Sequence, residues 1–285
     1  MNQPLQHNTQ VGLVSVPVNA ICETGGIDQR RLVCVAEESP VAFRYNGFAH
    51  AVMMATPDDL EDFAIGFSLS EGVIEVCSNV REISISRCDD GMTIDLSLDA
   101  VSLHRYLASR RVRQLRGHTS CGLCGVEDLD DVCRPAAHVR PAMPMSPDLI
   151  LSALTAIRQW QPLSRCTRGA HASAWIGPEG NLRTVREDVG RHNSLDKLIG
   201  AVLRSGGDAA NGFCLITSRC SFEMVQKAVA AGFAILVSAG APTARAIRLA
   251  MAAGLTLYSL SREGEPLLFT SPALSENEAW PEHAG

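Results

Sequence analysis

The stretch FCLITSRCSFEMVQKAVAAGFAILVSAGAPTARAIRLAMAAGLTLYSL, residues 213–260, decides the fold. Three short apolar runs, Phe213 to Thr217, Phe233 to Ser238 and Leu255 to Leu260, alternate with segments of helical length at 221–231 and 243–253. Strands alternating with helices of that length predict a three-layer α/β unit with parallel strands. In such sheets the loops at the carboxyl ends of the strands form the usual ligand edge.

Upstream, His171 to Ile176 and Leu182 to Glu187 read as strands around Gly177-Pro178-Glu179-Gly180-Asn181, followed by a helix from about Asn193 to Leu203. Ser146-Pro147-Asp148 caps a helix running to about Gln159, so a C-terminal α/β domain is expected over 146–285. The first half is patterned as a smaller α+β part over 21–116. Asn46-Gly47 lies between Val41–Tyr45 and Phe48–Met54, a strong hairpin signal. Thr56-Pro57 is expected to open a helix with Leu60, Phe63, Ala64 and Phe67 as its apolar stripe and Gly72 at its end. Ile83/Ile85 and Ile94/Leu96/Leu98 alternate about Gly91, and a helix from Ala100 to about Arg111 follows. Residues 1–20 carry no pattern and are expected to be poorly ordered, and 117–145, rich in Gly and Pro, is expected to be a mobile loop.

At 285 residues the chain can form one large domain or two. A composition of 46% hydrophobic and 20% charged residues is ordinary for a soluble globular protein. The net charge of −6 argues against general nucleic-acid binding, despite a local basic run at 105–116. No export signal opens the sequence, and the apolar run Ala228 to Ala239 is too short to cross a bilayer. Ten cysteines at scattered spacings are not a secreted disulfide framework, so a cytoplasmic protein without membrane association is expected. Cys34, Cys214 and Cys220 read as small hydrophobes, while Cys22, Cys77, Cys88 and Cys166 have no partner at a motif spacing.

Cys121-Gly122-Leu123-Cys124 differs from these. It follows Arg110, Arg111, Arg113 and Arg116 and is flanked by Gly117 and Gly125. Positive charge favours the reactive thiolate, and glycines keep side chains away from the sulfurs. The arginines suit docking to an acidic partner surface, or simply a solvated helix face.

Four segments stand out in the second half: Thr167-Arg168-Gly169-Ala170-His171, Glu187 to Asn193, Thr217-Ser218-Arg219, and Ser238 to Thr243. The last three follow strands and lead toward helices, where backbone N–H groups can hold phosphate. Arg191 and Arg219 supply forked donors for phosphate oxygens, and His192 lies in a polar turn. His171 begins a strand, so core packing competes with a functional role. Each segment alone also reads as a turn or cap; four on one sheet edge favour a ligand site. The chain has only two lysines, Lys197 and Lys227, both within or just after these segments.

The string EDVGRHNSLDKLIG at 187–200, the pair CGLC at 121–124 and the stretch 221–262 resemble the formate dehydrogenase accessory sulfurtransferase family, the FdhD/NarQ family. The similarity runs from about residue 20 to 270. It implies a C-terminal domain like the cytidine deaminase fold, a homodimer, and a sulfurtransferase required for formate dehydrogenase activity. Sulfane sulfur would come from a cysteine desulfurase and pass to the molybdenum cofactor, as bis(molybdopterin guanine dinucleotide), before its insertion into formate dehydrogenase. Cys121 and Cys124 are then the catalytic pair. Asp188, Arg191, His192, Ser218, Arg219 and Gly240 become cofactor-binding candidates, Asp188 as an acceptor for the guanine N–H groups of that cofactor. The strand-end segment Leu260-Ser261-Arg262-Glu263-Gly264-Glu265 joins them, because the family binds cofactor at this end. Two positions depart from the family pattern: Arg168 where glycine is usual, and Ser218 where glycine precedes the arginine.

Rival chemistries are visible in the same residues. A zinc deaminase needs His-x-Glu and Pro-Cys-x-x-Cys, whereas this chain has Ser173 after His171-Ala172 and Ser120 before the pair. Cys121, Cys124, Cys133 and His138 have an order compatible with a structural zinc site in a cofactor-binding chaperone. The family resemblance implies no permanently bound metal. A thioredoxin-like role lacks the surrounding βαβ pattern.

Overall fold

The computed structural model describes residues 12–21, 27–114, 138–142 and 144–273. Cys121, Cys124, Cys133 and most of the 117–145 loop lie outside the described residues. The fold is mixed α/β with three sheets. Strands β1 (Leu13–Ile21) and β2 (Ile27–Ala36) form an antiparallel ribbon. β3 (Ser39–Tyr45), β4 (Phe48–Ala55), β5 (Val80–Cys88) and β6 (Gly91–Leu98) form a second sheet in the order β4-β3-β6-β5. The Asn46-Gly47 hairpin forms as expected, with φ of 49° and 79° at its two turn residues. Helix α1 (Leu60–Ser70) buries Phe63 and Phe67 against Phe43 of this sheet, with centroid separations of 5.0 and 4.3 Å. Helix α2 (Ala100–Gln114) follows β6.

The larger sheet contains β7 (His171–Ile176), β8 (Leu182–Asp188), β9 (Phe213–Ile216), β10 (Ile235–Ser238), β11 (Thr256–Leu260) and β12 (Pro266–Thr270). Its order is β12-β11-β10-β9-β7-β8, with β9, β10 and β11 parallel, as the 213–260 stretch predicts. Side chains alternate between its faces. Phe213, Leu215 and Val237 pack under Ile150, Ala153 and Ile157 of α3 (Pro147–Ile157). Cys214, Ile216, Leu236 and Leu257 face the opposite way, toward α5 (Arg191–Arg204), α6 (Phe222–Ala230) and α7 (Ala244–Ala253). A short helix, α4 (Pro162–Thr167), lies before β7. Both faces of the sheet are therefore covered, which explains why its central strands are apolar runs rather than alternating ones.

The hydrophobic core that contains α5 to α7 continues without a break into α1 and the four-stranded sheet. The junction is a helix crossing at two glycines. A Cβ on Gly66 would lie 1.7 Å from the Asp196 carbonyl oxygen, and one on Gly200 would lie 1.8 Å from that of Asp62. Ion pairs flank this crossing. Lys227 Nζ meets both carboxylate oxygens of Asp196 at 2.8 Å, and Ser70 donates to the same carboxylate at 2.7 Å. Asp62 accepts from both Arg186 and Arg204.

Three expectations are corrected. Residues 13–20 are not patternless: Val14, Val16 and Val18 alternate along β1, and Leu13 is buried. Helix α1 does not start at Thr56; its N-cap is Asp59 at φ 51°, because the polar groups of Thr56 are bound elsewhere. The end of the loop expected to be mobile is tied down where it is described. Val139 N donates to Ala253 O at 3.0 Å and Met145 N to the Tyr258 hydroxyl at 2.8 Å.

Candidate functional site

Parallel pairing places Ile216, Ser238 and Ser259 level with one another at the carboxyl ends of β9, β10 and β11. Because β7 runs antiparallel to β9, its first residue, His171, comes to that same edge, paired with Asp188 at the end of β8. The topology thus brings the four segments singled out in the sequence to one rim. Two of them cross at close range. Gly240 N donates to Ser218 O at 3.0 Å, and a Cβ on Gly240 would lie 2.9 Å from Arg219 N, so glycine is required for backbone approach. The buried Ser238 and Ser259 hydroxyls fasten this crossing, reaching Ser218 O at 2.9 Å and Gly240 O at 3.0 Å respectively.

Asp188 is not available to a nucleobase. Its side chain is fully buried and accepts from Thr56 N at 3.0 Å, Gly190 N at 2.8 Å and Asn193 Nδ2 at 3.0 Å. It also pairs with Lys197 Nζ at 2.7 Å. Asp188 therefore shapes the turn 188–193 instead of reading guanine. The turn delivers Arg191 and His192 on the first turn of α5. Its N-cap is Gly190; the first turn holds no acidic residue, and among the described residues no side chain caps this helix start. A helix N-terminus of that kind, with Arg191 and His192 on it, favours an anion. Among the described residues Arg191 Nε is buried without a hydrogen-bond partner, a donor that a phosphate oxygen would satisfy.

His192 Nε2 lies 3.2 Å from Glu223 Oε2, and Ser221 Oγ donates to the same oxygen at 2.8 Å. These contacts, His192 foremost, draw the Glu223 carboxyl down to a pKa of about 2. His171 is half-buried beside Arg191 and His192. Burial, then the Arg191 charge, holds its imidazole below the usual histidine range. His171, left undecided by the sequence, thus belongs to the cluster. Glu223 was missed because it sits in an ordinary position, the first turn of α6.

The remaining candidates occupy the same rim with different freedom. Arg219 is exposed, while Ser218 is buried with its hydroxyl on the Arg219 carbonyl at 3.0 Å, so its extra bulk points inward. Leu260 to Glu265 form the tight β11–β12 turn. Ser261 Oγ accepts from Glu263 N at 3.2 Å and from Glu265 N at 3.1 Å, which leaves Arg262, Glu263 and Glu265 exposed. Helix α7 is capped by its own Thr243, which accepts from Ala246 N at 3.2 Å. The start of α5 is therefore a better phosphate seat than the start of α7 near Gly240. Arg168 ends α4 at φ 55°, a left-handed conformation that favours glycine.

Cys214 and Cys220 are fully buried. Desolvation drives both thiols up, that of Cys220 to about 12, so neither competes as a nucleophile. Among the described residues no cluster of His, Cys, Asp and Glu is arranged to hold a metal, and no helix is long and apolar enough to cross a membrane.

Comparison with known proteins gives concordant results. Residues 36–274 match the model of the FdhD/NarQ family. A protein of Cupriavidus necator named sulfur carrier protein FdhD is 46% identical over 245 residues, covering 86% of this chain and 84% of that one. A Bordetella petrii protein of the same name is 45% identical over 238 residues, 84% of this chain and 85% of the other. A crystal structure from Desulfotalea psychrophila, assigned as a formate dehydrogenase accessory protein, superposes with a TM-score of 0.71 at 25% identity. It covers 92% of this chain and 98% of that one. With the family model matched over residues 36–274 and relatives at 45–46% identity along most of its length, the chain belongs to the FdhD/NarQ family.

Proposed function

We propose that this chain is a cytoplasmic, homodimeric sulfurtransferase that serves formate dehydrogenase. Cys121, as thiolate, attacks the outer sulfur of a desulfurase persulfide; the desulfurase thiolate leaves and Cys121 becomes the persulfide. Cys124 then attacks the inner sulfur, releasing the outer one at the sulfide level to the metal centre of the cofactor. A Cys121–Cys124 disulfide remains for reduction. The cofactor's phosphates lie over the start of α5, where Arg191 and His192 meet them, with Arg219 and Arg262 on the rim. The observation that carries the nucleotide end of this reading is the buried Arg191 Nε, without a partner among the described residues, beside a helix N-terminus that none of them caps with a side chain. The names of the relatives support the sulfur end.

In cells whose formate dehydrogenase depends on this protein, Cys121→Ala should abolish formate oxidation, and Arg191→Ala should lower it strongly. Full activity with Cys121→Ala contradicts the carrier role and favours a cofactor chaperone. Isolated protein should bind guanosine diphosphate, and Arg191→Ala should weaken that binding; equal affinity for adenosine diphosphate would leave a phosphate site without base recognition.

A further inference from the structure

We infer that Thr56, which lies in the N-terminal half and outside the rim, is the positioning residue for Arg191 and His192. It follows β4 directly, and all three of its polar groups reach across to the C-terminal half. Thr56 N donates to Asp188 Oδ2 at 3.0 Å, Thr56 O accepts from Lys197 Nζ at 2.9 Å, and the hydroxyl accepts from Val189 N at 3.2 Å. The preceding residue but one assists, since Asn193 Nδ2 donates to Met54 O at 2.8 Å. Thr56 is 2% exposed and Asn193 3%, so water cannot replace these bonds.

The turn Asp188-Val189-Gly190 carries Arg191 and His192 on the two residues that follow it. Its backbone N–H groups are held by Asp188 itself and by Thr56. The β-hairpin sheet of the N-terminal half, through Thr56, thereby sets the height and angle at which α5 presents Arg191 and His192. The orienting contact of His192 with Glu223 depends on the same seat. The Thr56 methyl fits against Gly12, where an added Cβ would come within 2.7 Å of it. This inference rests on the nucleotide reading of the rim for its functional consequence, and on the hydrogen bonds alone for its structural part.

Thr56→Val keeps the shape and removes the acceptor of the Val189 N–H; Thr56→Ser restores it. Thr56→Val should weaken guanosine diphosphate binding about five- to tenfold, the scale of one lost hydrogen bond. It should also speed amide exchange over 188–193 and displace the His192 imidazole proton resonance, and Thr56→Ser should return all three to near wild type. If Thr56→Val does not fold, Thr56→Ala serves as the same deletion. Wild-type-like binding by the Val variant, or a Ser variant as impaired as Val, overturns the inference. Should the wild-type protein bind no nucleotide, the proposed function loses its nucleotide site. Exchange and the His192 resonance then decide the positioning role: both unchanged in Thr56→Val refutes it, both changed and rescued by Ser supports it.

Discussion

Lys197 and Asp188 meet at 2.7 Å with neither side chain exposed to solvent. Each is desolvated in full, so the pair persists only because its remaining valences are met within the fold. Asp188 has three further N–H donors, and Lys197 has the Thr56 carbonyl. Replacing Lys197 with Met strands a buried carboxylate. The expected loss is about 3–5 kcal/mol of unfolding free energy, measured by urea denaturation. A loss below about 1 kcal/mol would mean that the N–H donors alone satisfy Asp188.

The α1–α5 crossing sets a second test. With Gly200 facing the Asp62 carbonyl at a distance no Cβ can share, Gly200→Ala must push the helices apart. We expect a cost of about 3 kcal/mol or more, at the upper end of overpacking changes. A neutral result in chemical denaturation would show that α1 and α5 are less closely seated.

Arg168 should reverse the usual direction of a core-independent mutation. Its left-handed backbone at φ 55° costs an L-residue about 1–2 kcal/mol, partly offset by the greater chain entropy of glycine in the unfolded state. Arg168→Gly should therefore raise the unfolding free energy by roughly 0.5–1 kcal/mol. Unchanged or lower stability would show that the Arg168 side chain contributes contacts outweighing the strain.

Glu223 gives a pH signature. Its folded pKa, about 2, lies below the ordinary carboxyl value of 4.5, so its contribution to stability is complete above pH 4.5 and is lost as pH falls toward 2. The stability difference between wild type and Glu223→Gln should accordingly shrink between those limits. A difference that grows on acidification contradicts the His192–Glu223 contact.

The 213–260 stretch made the large sheet legible because buried parallel strands leave contiguous apolar runs and their helices keep a regular length. The Asn46-Gly47 turn was equally plain, since few sequences tolerate positive φ twice in succession. The β1–β2 ribbon was hidden by Pro17 and by polar neighbours, although Val14, Val16 and Val18 do alternate. Thr56 was misread as a helix cap because a threonine before proline satisfies the local rule. Only tertiary partners more than a hundred residues away reveal its actual bonds. Asp188 failed for a related reason: sequence shows a carboxylate in a polar turn and cannot show that its oxygens are already occupied. His171 and Glu223 needed the antiparallel return of β7 and the start of α6 to meet beside His192.

The central claim concerns Cys121, and intact mass spectrometry tests it most directly. The protein is incubated with a cysteine desulfurase and cysteine, then measured without reductant alongside Cys121→Ala and Cys124→Ala. The account predicts a gain of about 32 Da, one sulfur atom as a persulfide, in the wild-type protein and in Cys124→Ala, removed by a thiol reductant and absent from Cys121→Ala. A wild-type mass that does not change, or an adduct that survives in Cys121→Ala, would contradict it.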